Sequence, residues 1–415
     1  MRNKTWVMPW FKTMCPFCFK PFHPADAPLR PLRSDTLNGD TYVQKYLRLD
    51  AAPQMAPWIT PPRARSWVRR MWQRVRLDNT WQYEHDKICP HCHLPLPLSV
   101  AGGELGGEAI AVLGEQASGK STYFGVLIHQ LRNSPAGSDI GLSVVPQDSF
   151  DPENLCRVSS QRLYDRVYGS MFGETPTMPA PTRGAAESSP TPLIYRLQFG
   201  SQRWWTQLLR QRKRALEVVF FDLKGGDLVV DSVLELYYRY LSQVRGIMLL
   251  IDPINLPGVR DRLPVEVQPA LPPVRNSEAT VVVESIIKLF ERFGNLGSRD
   301  SIEIPIAITL AKTDLTRSIA PAMFFRPARH VEGFDREGVE EVSKTVQKWL
   351  EEQGQHYLVQ LLTRFSRRTY CAVSALGTAA ELDKRILLTR NPSRVVDPLF
   401  AVLFHLGYLR ARQIP

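Results

Sequence analysis

The eight residues from Gly114 to Ser121 read GEQASGKS and fit the pattern G-x-x-x-x-G-K-[ST]. In a loop of this kind, backbone N–H groups converge on phosphate oxygens at the positive end of the following helix. We expect Lys120 to reach the β and γ phosphates and the Ser121 hydroxyl to bind magnesium. The indicated chemistry is binding of a nucleoside triphosphate. The expected contacts are Gly114, Glu115, Gln116, Ala117, Ser118, Gly119, Lys120, Ser121 and Thr122.

The segments on either side of this loop are the ones that a phosphate site needs. An apolar run, Ala109 to Leu113, predicts a buried strand, and Tyr123 to Leu131 predicts a helix. A chance match in a Gly-rich turn is the alternative, and the order of strand, loop and helix argues against it.

Three more short motifs follow, each at the end of an apolar run. Leu216 to Phe221 leads into DLKG (222–225), Ile304 to Leu310 leads into AKTD (311–314), and Thr369 to Val373 leads into SAL (374–376). Each motif is weak alone. Together, and in this order after predicted strands, they are far more specific.

These motifs predict distinct contacts with a nucleotide. We expect Asp222 to hold magnesium through water and the Gly225 N–H to sense the γ-phosphate. Asp314 is placed to accept hydrogen bonds from guanine N1 and its exocyclic amine, which adenine cannot supply, and Lys312 is expected to pack over the base. The backbone of the last motif is expected to contact guanine O6 through Ser374, Ala375 and Leu376.

Four cysteines near the amino terminus form two C-P-x-C knuckles, and such pairs build tetrahedral zinc sites. The knuckles are Cys15 with Cys18, and Cys89 with Cys92. Two disulfides are a weaker alternative because no apolar leader for secretion is present, and a redox C-x-x-C is weaker still. Four nearby histidines, His23, His85, His91 and His93, are alternative ligands. Cys156 and Cys371 are expected to be core thiols.

With these motifs, residues 106–410 resemble the P-loop GTPases of the Ras-like and Arf-like class. The insertions and the amino-terminal zinc module are similar to bacterial double-GTPase families. The resemblance implies an α/β G domain with a mostly parallel sheet flanked by helices, GTP or GDP with magnesium, and a protein partner or activator at the switch face. It also implies hydrolysis by in-line attack of water, with Lys120 and magnesium neutralising charge.

Departures from the family pattern predict a slow enzyme. Gly226 stands where many switch GTPases have the glutamine that orients water, so Gln116, Asp227 or a partner would have to supply that group. Ala311 replaces the usual asparagine or threonine, so guanine preference rests on Asp314. A nucleotide-binding scaffold with little turnover is the main alternative, and an ATPase is a third.

The switch I ligand is the least defined position. Four threonines precede the predicted strand Pro192 to Phe199, and Thr182 is the first choice for the magnesium ligand because of its distance from that strand. The four are Thr175, Thr177, Thr182 and Thr191.

The segment between the knuckles, residues 19–88, is rich in tryptophan and arginine. Residues 61–76 predict a basic amphipathic helix whose apolar face packs on the chain itself, while an anionic membrane or nucleic acid is a less favoured partner. A second basic cluster, Arg210 to Arg214, is a candidate partner surface.

Composition agrees with two units, a zinc ribbon at 1–100 and a GTPase domain at 106–410. The chain has 415 residues, 44% of them hydrophobic, and a net charge of +11. That charge favours anionic partners. No apolar run reaches the ~20 residues that span a bilayer, and we expect a cytoplasmic protein.

Overall fold

The structure is a computed structural model. It describes residues 13–60, 84–101, 109–115, 118–133, 140–173, 192–199, 215–220, 241, 244–256, 258–264, 279–294, 296–297, 300–377 and 392–412. The basic stretch 61–76 and the cluster Arg210 to Arg214 lie outside these ranges. Among the described residues, no helix combines the length and the hydropathy needed to cross a bilayer.

The amino-terminal module consists of short paired strands and two short helices. Its elements are β1 (Thr13–Met14), β2 (Pro21–Phe22), β3 (Leu29–Pro31), β4 (Asn38–Gly39), α1 (Thr41–Leu47), β5 (Gln54–Met55), β6 (His85–Lys87) and α2 (Leu98–Ala101). The antiparallel pairs are β1 with β2, β3 with β6, and β4 with β5. The distance between the two knuckles predicts that segment 19–88 loops out of the ribbon. It instead supplies five of these strands and α1, because their backbone groups find partners within the module.

Helix α1 begins at a conventional cap that also reaches into the module. Asp40 accepts hydrogen bonds from the backbone of Tyr42 at 2.9 Å and of Val43 at 3.1 Å. The same carboxylate accepts from His93 Nδ1 at 2.9 Å and pairs with Arg30. These bonds and the guanidinium hold the pKa of Asp40 near 2 despite its burial. The buried charge is therefore fully partnered.

A four-stranded parallel sheet forms the centre of the remaining chain. Its strands are β7 (Ala109–Gly114), β13 (Val244–Ile251), β14 (Ile306–Leu310) and β15 (Arg368–Ala372), in the order β15-β14-β13-β7. Every residue of β14 is buried. Near-continuous apolar runs are typical of parallel strands that are covered on both faces. The sequence prediction of a mixed α/β fold with a parallel sheet is confirmed.

A second sheet extends the first. Its strands are β8 (Leu142–Pro146), β11 (Leu193–Phe199) and β12 (Ala215–Phe220), all antiparallel in the order β12-β11-β8, and β12 lies beside β7. A hairpin of β9 (Asp148–Asp151) and β10 (Cys156–Ser159) follows β8. The sequence analysis did not predict β8 to β10, because short, partly polar strands depend on tertiary pairing more than on their own pattern.

Helices cover both faces of the parallel sheet. They are α3 (Lys120–Asn133), α4 (Ser160–Tyr168), α5 (Ala279–Gly294), α6 (Arg336–Glu352), α7 (His356–Leu362) and α8 (Asp397–His405). The apolar pattern from Val339 to Phe365 predicts one or two helices, and the structure has two, α6 and α7. They are separated at Gly354, whose φ of +78° follows the end of α6.

Asp397 followed by Pro398 predicts an N-cap for the last helix, and this prediction is wrong. Asp397 is the first residue of α8, and no side chain caps the helix. Its buried carboxylate instead accepts from His330 Nε2 at 2.9 Å and pairs with Arg394 at 2.6 Å. His330 from a distant segment and the nearby Arg394 therefore use the oxygens that a cap would have needed.

The amino-terminal module shares its core with the sheet. Phe17, Leu96 and Val100 belong to the same buried cluster as Phe150 of β9 and Ile194 of β11. An ion pair of 3.2 Å joins Arg157 of β10 to Asp86 of β6. Strands β9 and β10 therefore contact the amino-terminal module.

Candidate functional site

The carboxyl ends of the parallel strands bring the sequence motifs to one edge of the sheet. The loop after β7 carries the phosphate pattern, the loop after β14 carries residues 311–314, and the loop after β15 carries residues 374–376. Ligands of open parallel sheets bind outside this edge. Three of the four motifs are thus on one side of the molecule.

The phosphate loop is closed around the Lys120 side chain. Lys120 is buried, and its Nζ donates to the carbonyl oxygens of Gly114 at 3.1 Å and Glu115 at 2.8 Å. A Cβ on Gly114 would lie 2.4 Å from the Leu250 carbonyl oxygen, so only glycine fits there. The sheet and the ammonium group together shape the loop.

Two observations test whether this loop fits a phosphate. The Ser118 hydroxyl is completely buried and has no hydrogen-bond partner among the described residues. A buried hydroxyl of this kind calls for a ligand or a water molecule. Gly119 adopts φ +86°, a left-handed conformation that permits close approach of the backbone. With the Lys120 ammonium, these groups suit a phosphate ester.

The loops after β14 and β15 are joined at Asp314. Ser374 Oγ donates to Asp314 Oδ1 at 2.6 Å, and the Gly377 N–H donates to Ser374 Oγ at 2.9 Å. Burial raises the pKa of Asp314, and the hydrogen bond from Ser374 opposes that rise. Ala375 and Leu376 are half-buried in the same loop. A carboxylate has two acceptor oxygens, as a ligand with two N–H donors requires.

Lys312 connects this edge to the phosphate loop. A Cβ on Gly119 would lie 3.4 Å from Lys312 Cε, so the lysine stem passes over the phosphate loop. Lys312 Nζ forms an ion pair of 2.6 Å with Asp252 Oδ2. The sequence analysis missed Asp252, although it directly follows the apolar run of β13 at the same sheet edge.

Some predicted site residues cannot be placed. Ser121 and Thr122 lie in the first turn of α3, where the prediction requires them. The remaining predicted residues, which include two of the three magnesium ligands, lie outside the described parts of the chain: Gln116, Ala117, Thr182, Asp222 and Gly225. Their roles stay predictions.

The four knuckle cysteines converge on one point. Their Sγ atoms lie within 4.8 Å of one another, with Cys15 to Cys92 at 3.8 Å and Cys18 to Cys89 at 3.7 Å. Four thiolates at about 2.3 Å from a tetrahedral zinc ion are about 3.8 Å apart, whereas disulfide sulfurs are about 2.05 Å apart. The spacing therefore fits a metal and excludes disulfides.

Backbone contacts around the cluster support the same interpretation. The N–H groups of Phe17 and His91 each donate to a cysteine Sγ at 3.4 Å, which stabilises negative sulfur. Burial raises the pKa of the Cys15 and Cys92 thiols, a cost that a cation would offset by favouring thiolates. The four sulfurs can hold one zinc ion.

The other candidate ligands and thiols have different surroundings. His91 Nε2 lies 3.2 Å from the Pro21 carbonyl oxygen, and His93 Nδ1 contacts Asp40. Cys371 is buried as expected, but Cys156 is exposed, so its prediction as a core thiol is wrong. Cys156 lies in the edge hairpin β9–β10, which the sequence analysis did not predict.

Comparisons with known proteins give distant similarities. No family model matches the chain. The chain is 27% identical over 179 residues to SaeC of Mycolicibacterium smegmatis, a protein named for a proposed role in ESX-1 scaffolding and assembly; the match covers 43% of this chain and 40% of SaeC. The chain thus spans about two fifths of the length of this curated relative.

Two solved structures are similar at 12% identity, and both titles name a guanine nucleotide. The first is the signal recognition particle receptor SRb-GTP/SRX complex from Chaetomium thermophilum, with a TM-score of 0.29 over 66% of this chain and 92% of that one. The second is Roco2 RocCORdC of Methanosarcina barkeri bound to GDP, with a TM-score of 0.27 over 74% of this chain and 53% of that one.

Proposed function

We infer that this chain is a guanine-nucleotide-binding switch that hydrolyses GTP slowly. The observation that carries this inference is the packing of the Lys312 stem over Gly119. Through that contact the phosphate loop and the loop bearing Asp314 face one ligand, as a nucleotide with phosphates at one end and a base at the other requires.

Different residues bind the phosphates, the base and the magnesium ion in this proposal. The amides from Glu115 to Lys120, the Lys120 ammonium and the Ser118 hydroxyl bind phosphate oxygens. Asp314 accepts the two N–H groups of the guanine edge, and Ser374 fixes the carboxylate that does so. Ser121, with Asp222 and Thr182, would hold magnesium, which when bound neutralises charge on the phosphate oxygens.

Weak turnover follows from the same set of residues. Gly226 offers no side chain to orient water, so hydrolysis depends on Gln116, Asp227 or a group from a partner. The second candidate function is therefore a scaffold that binds nucleotide without appreciable turnover. The named scaffolding and assembly role of SaeC is compatible with this candidate. An ATPase is the third.

In this proposal the zinc module has a structural role or serves to dock a protein partner. Its buried cysteines share a core with the sheet, so metal binding supports the fold of the whole unit. Membership of the bacterial double-GTPase families and a cytoplasmic location belong to the same proposal.

Binding of fluorescent GTP and ATP analogues to the purified full chain tests the proposal. We expect the wild type to prefer GTP and Lys120→Ala to lose binding by at least about 100-fold, since the ammonium makes charge-assisted contacts with phosphate. A chain that prefers ATP would contradict the guanine assignment. Phosphate release, with and without a candidate activator, separates a slow GTPase from a scaffold.

A further inference from the structure

Asp252 contacts both the phosphate loop and the loop bearing Asp314. Its carboxylate pairs with Lys312 Nζ at 2.6 Å, and its backbone N–H donates to Glu115 Oε1 at 2.7 Å. Glu115 belongs to the phosphate loop and Lys312 to the base-recognition loop. We propose that Asp252 is a positioning residue that latches these two loops together and thereby slows nucleotide release. This inference rests on the proposed function.

Burial makes the latch more than a surface ion pair. The Asp252 side chain is 3% exposed and the Lys312 side chain 30%, so water screens this ion pair less than a fully exposed pair, which contributes little. Breaking a buried pair leaves an uncompensated charge. Asp252 Oδ1 also accepts from the Ile254 N–H at 3.1 Å, so its carboxylate is fixed by its own turn before it meets Lys312.

The backbone at Lys312 indicates that the latch imposes a geometry. Lys312 adopts φ +51° and ψ +35°, a left-handed conformation that residues other than glycine and asparagine adopt at a cost. Such conformations persist where surrounding contacts fix them. The residues on either side of Lys312 are fixed by backbone hydrogen bonds. The Ala311 N–H donates to the Ile251 carbonyl oxygen at 2.9 Å, and the Thr313 N–H donates to the Val373 carbonyl oxygen at 3.1 Å.

These contacts hold the Lys312 stem over Gly119, between the loop proposed to bind phosphate and the loop proposed to bind the base. Ala311 has no polar side chain to join the two loops. Asp252 joins them through its carboxylate, which pairs with Lys312, and through its backbone N–H, which donates to Glu115. In the proposed function, both loops contact the nucleotide. Loosening the latch therefore raises the dissociation rate more than it alters the chemistry of hydrolysis.

The test is a double-mutant cycle on release of a fluorescent GDP analogue from the full chain, chased with unlabelled GDP. Asp252→Asn keeps the side-chain size, the bond from Ile254 and the backbone N–H, and removes the charge that holds Lys312. We expect it to speed release by about 10- to 100-fold, as for loss of a hydrogen bond to a charged group. In a Lys312→Met background, the same substitution should add nothing.

Glu115→Ala provides a second variant at the other end of the latch, because it removes the oxygen that accepts from the Asp252 N–H. Asp300→Asn is the matched control on an exposed carboxylate outside the site. We expect the first to speed release and the control to leave it unchanged. An unchanged dissociation rate in Asp252→Asn would overturn the latch alone. The same holds if the rate increases of Asp252→Asn and Lys312→Met multiply in the double variant. A wild type that retains no labelled GDP would instead overturn the proposed function together with the latch.

Discussion

The Ser374 hydroxyl donates a hydrogen bond of 2.6 Å to Asp314, and this bond joins the loops that follow β14 and β15. The two residues are far apart in sequence, but their strands are neighbours in the parallel sheet. Because a hydroxyl donates to a carboxylate, the contact favours the ionised form of Asp314.

Changing Asp314 to asparagine is expected to alter base selection. The amide cannot accept both N–H groups of guanine, so GTP affinity should fall by about 100-fold, as for hydrogen bonds to a charged acceptor. The same amide can donate to the C2 carbonyl of xanthine. Competition of GTP and XTP against a fluorescent analogue measures the change in base preference. Equal losses for both nucleotides would count against base recognition by Asp314.

The same substitution is expected to stabilise the ligand-free protein at neutral pH. Burial raises the pKa of Asp314 above that of an unfolded aspartate, so ionisation costs more in the folded state. The cost is present above the raised pKa and disappears as the pH falls toward the ordinary value of about 3.8. Thermal unfolding should therefore show a higher midpoint for Asp314→Asn at pH 7. The advantage should shrink at acidic pH, and a lower midpoint at pH 7 would contradict the assigned cause.

Removal of one knuckle cysteine is expected to release the metal. Metal analysis of the wild type should find about one zinc ion per chain, and Cys15→Ser should lose it, because three remaining thiolates close the site poorly. Unfolding should then begin at lower temperature, since the cluster shares the core of the sheet. Cys156→Ser is the matched control and should keep the zinc, because Cys156 is exposed and outside the cluster. A stable metal-free wild type would refute the site.

Gly246 on β13 is expected to tolerate no larger residue. A Cβ there would lie 2.2 Å from Val402 Cγ1 of α8, so Gly246→Ala should destabilise the fold by about 1–3 kcal/mol through overpacking. The next nearest atoms are at 3.6 Å or more, so adding Val402→Ala should recover part of the loss. Urea unfolding of the two single variants and the double variant measures the coupling. Simple additivity would show that the clash is not the cause.

Much of the candidate site could be predicted because its motifs are local. The loop from Gly114 to Ser121 needs a specific backbone, and only certain residues adopt it, so the pattern is visible in the letters alone. The strands β7, β13, β14 and β15 were predictable because buried parallel strands are continuously apolar. Asp252 could not be assigned a role, since an aspartate after a strand acquires meaning only through its neighbours across the sheet edge.

The amino-acid sequence by itself determined the phosphate loop, the cysteine pairs and the α/β class, because each depends on residue types within a few positions. Only the tertiary structure decided that Lys312 crosses Gly119, that Asp397 bonds to His330 rather than capping a helix, and that β9 and β10 contact the amino-terminal module. These are contacts between segments distant in the chain. They are selected by burial and by the pairing of polar groups, and neither leaves a local pattern.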